Sequence, residues 1–346
     1  MRWWSGLSQA YVDTQIRKRL KLCETPLDRY QVRIARTAEE YRDAFALVHV
    51  AYAYLGIESV RKTALRITPQ HLLPEATVFI AYEGDQPVGT MTVTIDSPAG
   101  LPLDGDYPAE LDRLRAEGLK LVEYGSLSVV HRCRHTGVPV LLAMAANCWA
   151  HARGGDQLVI GVHPRAAAYY RALYAFSLMG QPQRHQKLAA PVCGLTVPIE
   201  RSIDHLRRTA AGLSAEGIPT WRHFVDCPPS CVDLTLRQPA DPAGRDRLPR
   251  EVFRTLFIQD TDRLETLDAN TRDYLASVRS EATLGDTTPD WLPELSESFA
   301  PEADEEVPTP PPSAPRLRSG PRAETTPRHS YIRELRTAPA RRRKAS

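Results

Sequence analysis

Residues 121–152 read LVEYGSLSVVHRCRHTGVPVLLAMAANCWAHA, and this stretch decides the fold class. It opens with an apolar strand over 121–130 that carries one carboxylate, Glu123. A short basic turn follows, Arg134-His135-Thr136-Gly137-Val138-Pro139, and then a helix over 139–153 with small residues along it. Glycine lets the backbone adopt conformations closed to other residues and come close to a ligand. Proline at the first helical position starts a helix without wasting an N–H, and the exposed N–H groups of a helix start bind phosphate. His131, Arg132, Arg134 and His135 flank that start. A phosphate cradle joined to a strand with a single acid points to an enzyme with a phosphate-bearing cofactor.

Outward from this stretch, residues 30–36 (YQVRIAR) alternate as a strand. Thr37 with Glu40 is a capping-box start for a helix whose apolar face is Tyr41, Phe45, Val48 and Tyr52. Residues 76–82 and 87–95 read as strands joined by a hairpin turn at Glu83-Gly84-Asp85-Gln86. Residues 96–106 form a Pro/Gly loop, 110–118 a short charged helix and 157–162 a buried strand. A helix rich in alanine and aromatics spans 164–179, and 188–199 supply one or two closing strands. Strands alternating with helices argue an α/β sheet with some antiparallel edges. After Glu200 a short polar helix (202–213) and one or two amphipathic helices within 248–278 are expected. Beyond about 284 the chain is rich in Pro, Ser and Thr, with an acidic run before a basic end, a composition that predicts disorder. The expected organisation is an N-terminal helix (1–29), an α/β domain (30–200), a helical accessory segment (201–283) and a disordered tail (284–346).

With 346 residues, 42% of them hydrophobic, the chain can bury a sizeable core. A net charge of only +2 gives no reason to expect a nucleic-acid partner. The six cysteines show no repeated spacing, so free thiols in a reducing, cytoplasmic setting are expected. No run of about 18 apolar residues predicts a spanning helix, and the N-terminus lacks a secretory h-region. Trp3, Trp4, Leu7, Tyr11 and Ile16 lie along one broad side of the N-terminal helix. That side reads as packed on the domain, with peripheral membrane contact as the other reading. No metal is expected: Cys227-x-x-x-Cys231 lacks a second ligand pair for zinc.

Arg134-x-x-Gly137-x-Pro139 resembles, with one substitution, the pyrophosphate loop of the GNAT acyltransferases. Val162-His163-Pro164-Arg165, Tyr169-Tyr170-Arg171, Leu173 and Phe176 resemble that family's closing strand and helix, with His163 in place of Asn and Ala175 in place of Gly. A closer resemblance is to the N-acyl amino acid synthases, the long-chain branch of GNAT related to acyl-homoserine-lactone synthases. It is carried by Val88-Gly89-Thr90-Met91-Thr92, by the loop Asp96-Ser97-Pro98-Ala99-Gly100-Leu101-Pro102-Leu103-Asp104, by Tyr107-Pro108-Ala109-Glu110-Leu111 and Leu114-Arg115, and by Glu123 with Leu127 and Val129. The resemblance implies a GNAT-like mixed central sheet flanked by helices, with a helical C-terminal extension. It also explains Asp96, Asp104 and Asp106 as the border of an acyl pocket rather than a metal cluster.

The resemblance further implies that a fatty acyl group moves from a phosphopantetheine thioester, on coenzyme A or acyl carrier protein, to the amine of a small molecule such as an amino acid. No permanently bound cofactor is needed. The amine must lose a proton, and Glu123 on its apolar strand, its pKa raised by desolvation, is the candidate base. Tyr170 matches the tyrosine that protonates the leaving thiolate in GNAT enzymes. The other readings are a surface carboxylate for Glu123 and core packing beside Tyr169 and Tyr174 for Tyr170. Arg132, Arg134, His135, Thr136, Gly137 and Val138 are the expected phosphate-binding residues. A backbone N–H near Leu127 to Val129 is the expected oxyanion donor. Acidic acyl carrier protein calls for a basic rim, to which Arg132 and Arg134, and also Arg153, Arg165, Arg171, Arg184 and Lys187, could contribute. Two further readings stand: an acetyl-CoA-dependent acetyltransferase, and a non-catalytic carrier-binding or regulatory module.

Overall fold

The hairpin at Gly84-Asp85 seeds the sheet. Gly84 takes a φ of 58°, the left-handed conformation a two-residue β-turn requires. A computed structural model describes residues 29–57, 64–134, 136–215, 252, 256 and 268–281. The helix expected over 1–29 (all but Arg29), the Cys227/Cys231 pair, the tail beyond 284 and His135 lie outside the described residues. The described elements are β1 (Tyr30–Ile34), α1 (Ala38–Tyr54), β2 (Ala76–Glu83), β3 (Gln86–Ile95), α2 (Pro108–Ala116), β4 (Leu121–Val129), α3 (Val138–Ala152), β5 (Gln157–Val162), α4 (Ala167–Tyr174), β6 (Ser177–Leu178), β7 (Gln183–Arg184), β8 (Pro191–Pro198), α5 (Ile199–Ala215) and α6 (Ala269–Glu281).

The sheet has eight strands in the order β1-β2-β3-β4-β5-β8-β6, with β7 paired to β8. All pairings are antiparallel except β4–β5, which is parallel and crosses over through α3. The mixed α/β sheet is as expected. The β4–β5 ladder is short, running only over Leu121↔Gln157, Val122↔Leu158 and Glu123↔Val159. Past Glu123 the two strands part, and the sheet forks.

Both faces of the sheet are covered. α3 is apolar nearly all round, and Leu141, Leu142, Ala145, Ala146, Trp149 and Ala150 are buried. Trp149 meets Phe79 of β2 edge-on, ring centroids 6.2 Å apart. Against the other face, Tyr41, Phe45 and Val48 of α1 are buried as the spacing predicts. Thr37 Oγ1 accepts the Glu40 N–H at 3.2 Å, and Glu40 returns the bond to the Thr37 N–H at 3.2 Å, completing the capping box. From the C-terminal part, Val252, Leu256 and Leu275 join this second cluster. The Tyr274 hydroxyl of α6 donates to Glu75 at 2.7 Å. No described helix is long and apolar enough to cross a membrane.

One helix is shorter than expected. The helix predicted over 164–179 spans only Ala167–Tyr174, because Ala175 turns left-handed with a φ of 61° and the chain re-enters the sheet at Ser177. An alanine carries no sequence signal for a left-handed helix stop, which glycine would have given.

Candidate active site

Where β4 and β5 part, two cavities open. One, of about 310 Å³, lies on the α3 side and is lined by apolar groups such as Leu158, Ile160, Ala143, Tyr170 and Phe176. The other, of about 260 Å³, is polar and is lined by Glu123, His71, Thr92, Asp106, His185 and Arg66 among others. Tyr52, Tyr124, Gly125, Ser126 and Gly161 line both, so the cavities meet at the fork. A Cβ on Gly161 would stand 2.8 Å from Leu103 Cδ1 and 3.2 Å from Val192 Cγ2, so those side-chain ends would have to shift to admit one.

The fork has a local cause. Thr92 pairs with Gly125 and Thr90 with Ser128, so β4 carries one residue more than β3 between these points. The bulge falls at Ser126, whose φ of 52° is left-handed in a residue with a side chain. Such strain costs on the order of 1–2 kcal/mol and persists only where surrounding contacts impose it. Beyond Glu123, β4 has no strand partner on its β5 side among the described residues.

Glu123 sits on the last rung before the fork and is 6% exposed. The surface-carboxylate reading is excluded by that burial. Its Oε2 accepts the Leu103 N–H at 2.9 Å. Burial pushes its pKa up to about 8; the Leu103 bond opposes this, and the charges of Asp104, Asp106 and Asp96 add to the rise. The loop that delivers Leu103 is built by Arg115. Its guanidinium donates to Asp96 at 2.6 and 2.9 Å and to Asp104 at 2.7 Å twice, and Asp104 Oδ2 accepts the Leu101 N–H at 2.7 Å. Asp96 and Asp104 are thus arginine partners. Among the described residues, no cluster of His, Cys, Asp and Glu could hold a metal ion. Pro102 and Leu103 of this loop line the polar cavity and not the apolar one, so the loop borders Glu123's side of the fork.

Tyr170 lies on the apolar side in an aromatic group. It stacks on Tyr174 at 6.1 Å and meets Tyr169 edge-on at 5.1 Å. Burial raises its pKa well above the ordinary phenol value, so it holds its proton at neutral pH. Glu123 and Tyr170 therefore face different cavities that share the fork. Tyr124 links the same fork to α3 through a 2.8 Å bond to Asn147 Oδ1.

The basic turn stands at the start of α3, and Pro139 of that first turn lines the apolar cavity. Gly137 caps the helix with a φ of −69°, a conformation open to any residue, so the special backbone freedom expected of it is not used. Thr136 Oγ1 donates to Cys133 O at 2.8 Å and accepts the Val138 N–H at 3.3 Å. Arg134 Nε donates to Val129 O at 3.2 Å, tying the turn to the end of β4. Arg132 is paired with Glu83. Arg153 lies at the opposite end of α3, stacked 4.3 Å over Trp149, too far from the turn to share a rim with it.

Sequence reasoning missed much of the polar cavity. His71 is buried, and burial holds its pKa down to about 3. Its Nδ1 accepts the Thr68 N–H at 3.0 Å, so its Nε2–H donates to Thr92 Oγ1 at 3.1 Å. Asp106 Oδ2 lies 3.3 Å from His185 Nδ1, and its Oδ1 accepts the Gln186 N–H at 2.9 Å. The alternation Thr90-x-Thr92-x-Thr94 on β3 was the one available signal, because it places three hydroxyls on one face of a core strand.

A family model, that of the N-acyl amino acid synthase FeeM, matches residues 43–198. The solved structure of FeeM, from uncultured soil microbes, is 24% identical, covers 51% of this chain and 94% of that chain, and has a TM-score of 0.46. The CoA-dependent acyl-homoserine lactone synthase BjaI is 14% identical, covers 59% of this chain and 92% of that one, with a TM-score of 0.42. A GNAT-family acetyltransferase from Streptococcus pneumoniae is 15% identical over 49% of this chain and 98% of its own, with a TM-score of 0.36. No curated protein matches the chain. Over residues 43–198 the chain is thus similar to the N-acyl amino acid synthases.

Proposed function

We propose that this protein is an N-acyltransferase that moves a fatty acyl group from a phosphopantetheine thioester to the amine of an amino acid. The observation that carries this reading is the fork: an apolar cavity and a polar cavity meet where β4 leaves β5, with a buried acid on the last shared rung. The acyl chain fills the apolar cavity and the thioester carbonyl lies in the gap. The amine arrives from the polar side and gives its proton to Glu123. Nitrogen then attacks the carbonyl carbon, and backbone N–H groups of the unpaired β4 stretch face the oxyanion. Collapse breaks the C–S bond, Tyr170 protonates the departing thiolate, and the second amine proton leaves the nitrogen as the amide forms and returns to the Tyr170 phenolate. Pro139, two residues after Gly137, lines the apolar cavity, and in this reading the carrier phosphate lies against the helix start there, on coenzyme A or on acyl carrier protein.

An apolar cavity of about 310 Å³ favours a long acyl group over acetyl. Burying each methylene contributes about 0.8 kcal/mol, so kcat/KM should rise about fourfold per added CH2 until the cavity is full. The deciding experiment is mass spectrometry of lipid extracts from an expressing bacterium. New N-acyl amino acids absent from the Glu123→Gln strain are expected. Extracts identical to the empty-vector control, together with acetyl transfer by the purified protein, would replace this reading with an acetyltransferase.

A further inference from the structure

Strand β3 presents two hydroxyls beside Glu123 that the transfer step leaves idle. Across the antiparallel β3–β4 ladder, Thr94 pairs with Glu123 and Thr92 with Gly125. Residues opposite one another in such a ladder project to the same face, their Cβ atoms about 4.5–5.5 Å apart, and residues two apart on a strand share a face. Thr92, Thr94 and Glu123 therefore stand on one face, and all three line the polar cavity. Glu123 spends Oε2 on the Leu103 N–H, which leaves Oε1 free. Oε1 lies 3.9 Å from the point a Gly125 Cβ would occupy; apart from the glycine's chain neighbours, no other described atom comes within 4 Å of that point. Oε1 thus leans from the Thr94 rung towards the Thr92 rung, beside space that the missing side chain leaves open.

Both hydroxyls have capacity to spare. Thr92 Oγ1 accepts the His71 Nε2–H at 3.1 Å, the ring being fixed by the Thr68 N–H at Nδ1, and keeps one lone pair. Thr94 is 2% exposed, and its hydroxyl has no hydrogen bond among the described residues. The described side-chain oxygens that are both unbonded and sealed belong to Glu75, Thr77, Ser128 and Ser202. The Thr94 hydroxyl is not among them, so it opens into the cavity. A buried hydroxyl left without a partner is costly unless a ligand satisfies it.

Glu123 Oε1, Thr92 Oγ1 and Thr94 Oγ1 frame one recess, and an unsubstituted ammonium has three N–H groups to match. Once Glu123 has taken one proton, the two hydroxyls accept from the two N–H groups that remain. Both hydroxyls stand on β3, whereas the gap lies beyond β4, between β4 and β5. The lone pair, left where the proton departed, then faces the gap and the thioester carbonyl. An N-alkyl group would replace one N–H by carbon and leave a hydroxyl unsatisfied.

We propose that Thr92 and Thr94 hold the acceptor nitrogen by its two retained N–H groups and so limit the enzyme to primary amines, excluding N-methyl amino acids and proline. This rests on the acyl-transfer reading above and adds the class of amine that the site accepts.

The test uses the full-length protein with lauroyl thioesters of both coenzyme A and acyl carrier protein. Alanine, leucine and phenylalanine are each compared with their N-methyl derivatives, and proline is added. The wild type should favour the primary amine by about tenfold or more in kcat/KM, the worth of one hydrogen bond to a charged or strongly polar group. Thr94→Val keeps the side-chain shape and removes only the hydroxyl. It should cost the primary amine most of that factor, leave the N-methyl acceptor nearly unchanged, and so collapse the preference. Thr94→Ser, which keeps the hydroxyl, should retain it. Thr92→Val should shift the preference in the same direction. A purely structural role would lower both acceptors together and leave their ratio fixed. Equal losses on both acceptors in Thr94→Val and Thr92→Val, or a wild type that acylates N-methyl amino acids as readily as the parent ones, would overturn the proposal. A wild type that acylates no amine from either donor would instead refute the acyl-transfer reading itself.

Discussion

Replacing Glu123 by glutamine tests the site in two independent ways. The carboxylate is buried, and that burial pushes its pKa up to about 8 from an ordinary 4.5. Three and a half pH units correspond to about 5 kcal/mol between its protonated and ionised forms, as an upper figure. Between pH 4.5 and 8 the folded protein holds this proton and the unfolded chain does not, so stability falls as pH rises through that window. Glutamine does not titrate. The variant should therefore match the wild type near pH 4.5 and become the more stable of the two by pH 9, by up to about 5 kcal/mol. Activity should move the other way. At pH 7 about one molecule in ten carries the ionised base, so wild-type kcat/KM should climb about tenfold from pH 7 to a plateau above 8. Glu123→Gln should lose about 10²- to 10⁴-fold in turnover near neutrality and exchange that limb for a later one set by the amine's own ionisation, so that the loss shrinks at high pH. Denaturant melts at several pH values and a pH–rate profile are the two assays. A variant with wild-type turnover and an unchanged alkaline limb would show that Glu123 is not the base. Parallel stability–pH curves for the two proteins would show that its pKa is not raised.

Three further outcomes follow from local geometry. Gly137→Val should fold normally, because a φ of −69° suits any residue, and should raise KM for the thioester donor more than for the acceptor; Arg134→Ala should do the same, read by initial-rate kinetics with either substrate varied. Ala175→Gly should raise stability by up to about 1 kcal/mol in a urea melt, since it relieves a left-handed φ of 61° at the loss of one methyl partly buried against the core. Arg115→Ala should cost about 2–3 kcal/mol and lower kcat, because it frees Asp96 and Asp104 and loosens the loop that presents the Leu103 N–H to Glu123; Arg115→Lys should recover little of either, as an ammonium cannot grip two carboxylates in a fork.

What was legible in the sequence was what is written in short stretches. The Gly84-Asp85 hairpin, the Thr37/Glu40 cap and the strand–turn–helix from β4 into α3 each depend on residues a few positions apart, and each stands as read. Glu123 was found because a lone acid in an apolar strand is conspicuous. The polar cavity was not found, because its parts come from far apart: Arg66 and His71 before β2, Thr92 on β3, Asp106 after β3 and His185 between β7 and β8. Only tertiary packing brings them together. Two readings failed for a conformational reason. Gly137 looked like a residue chosen for its backbone freedom yet lies in an ordinary helical conformation. Ala175 looked like helix yet turns left-handed. Composition alone cannot reveal either.

The short β4–β5 ladder sets stability against activity. Each additional rung between the parted strands would add backbone hydrogen bonds contributing about 1 kcal/mol each. It would also close the gap where the two cavities meet. Selection for heat resistance, acting without regard to turnover, should therefore converge on residues 124–129 and 160–162, flattening the bulge at Ser126 and zipping the sheet shut. Engineering for durability is better directed elsewhere: to Ala175, to the α1 surface, and to loops remote from the parting of the strands. On the proposed function the opening in the sheet is a stability deficit that acyl transfer requires, and a variant library screened for both properties should show it as the region where gains in one are losses in the other.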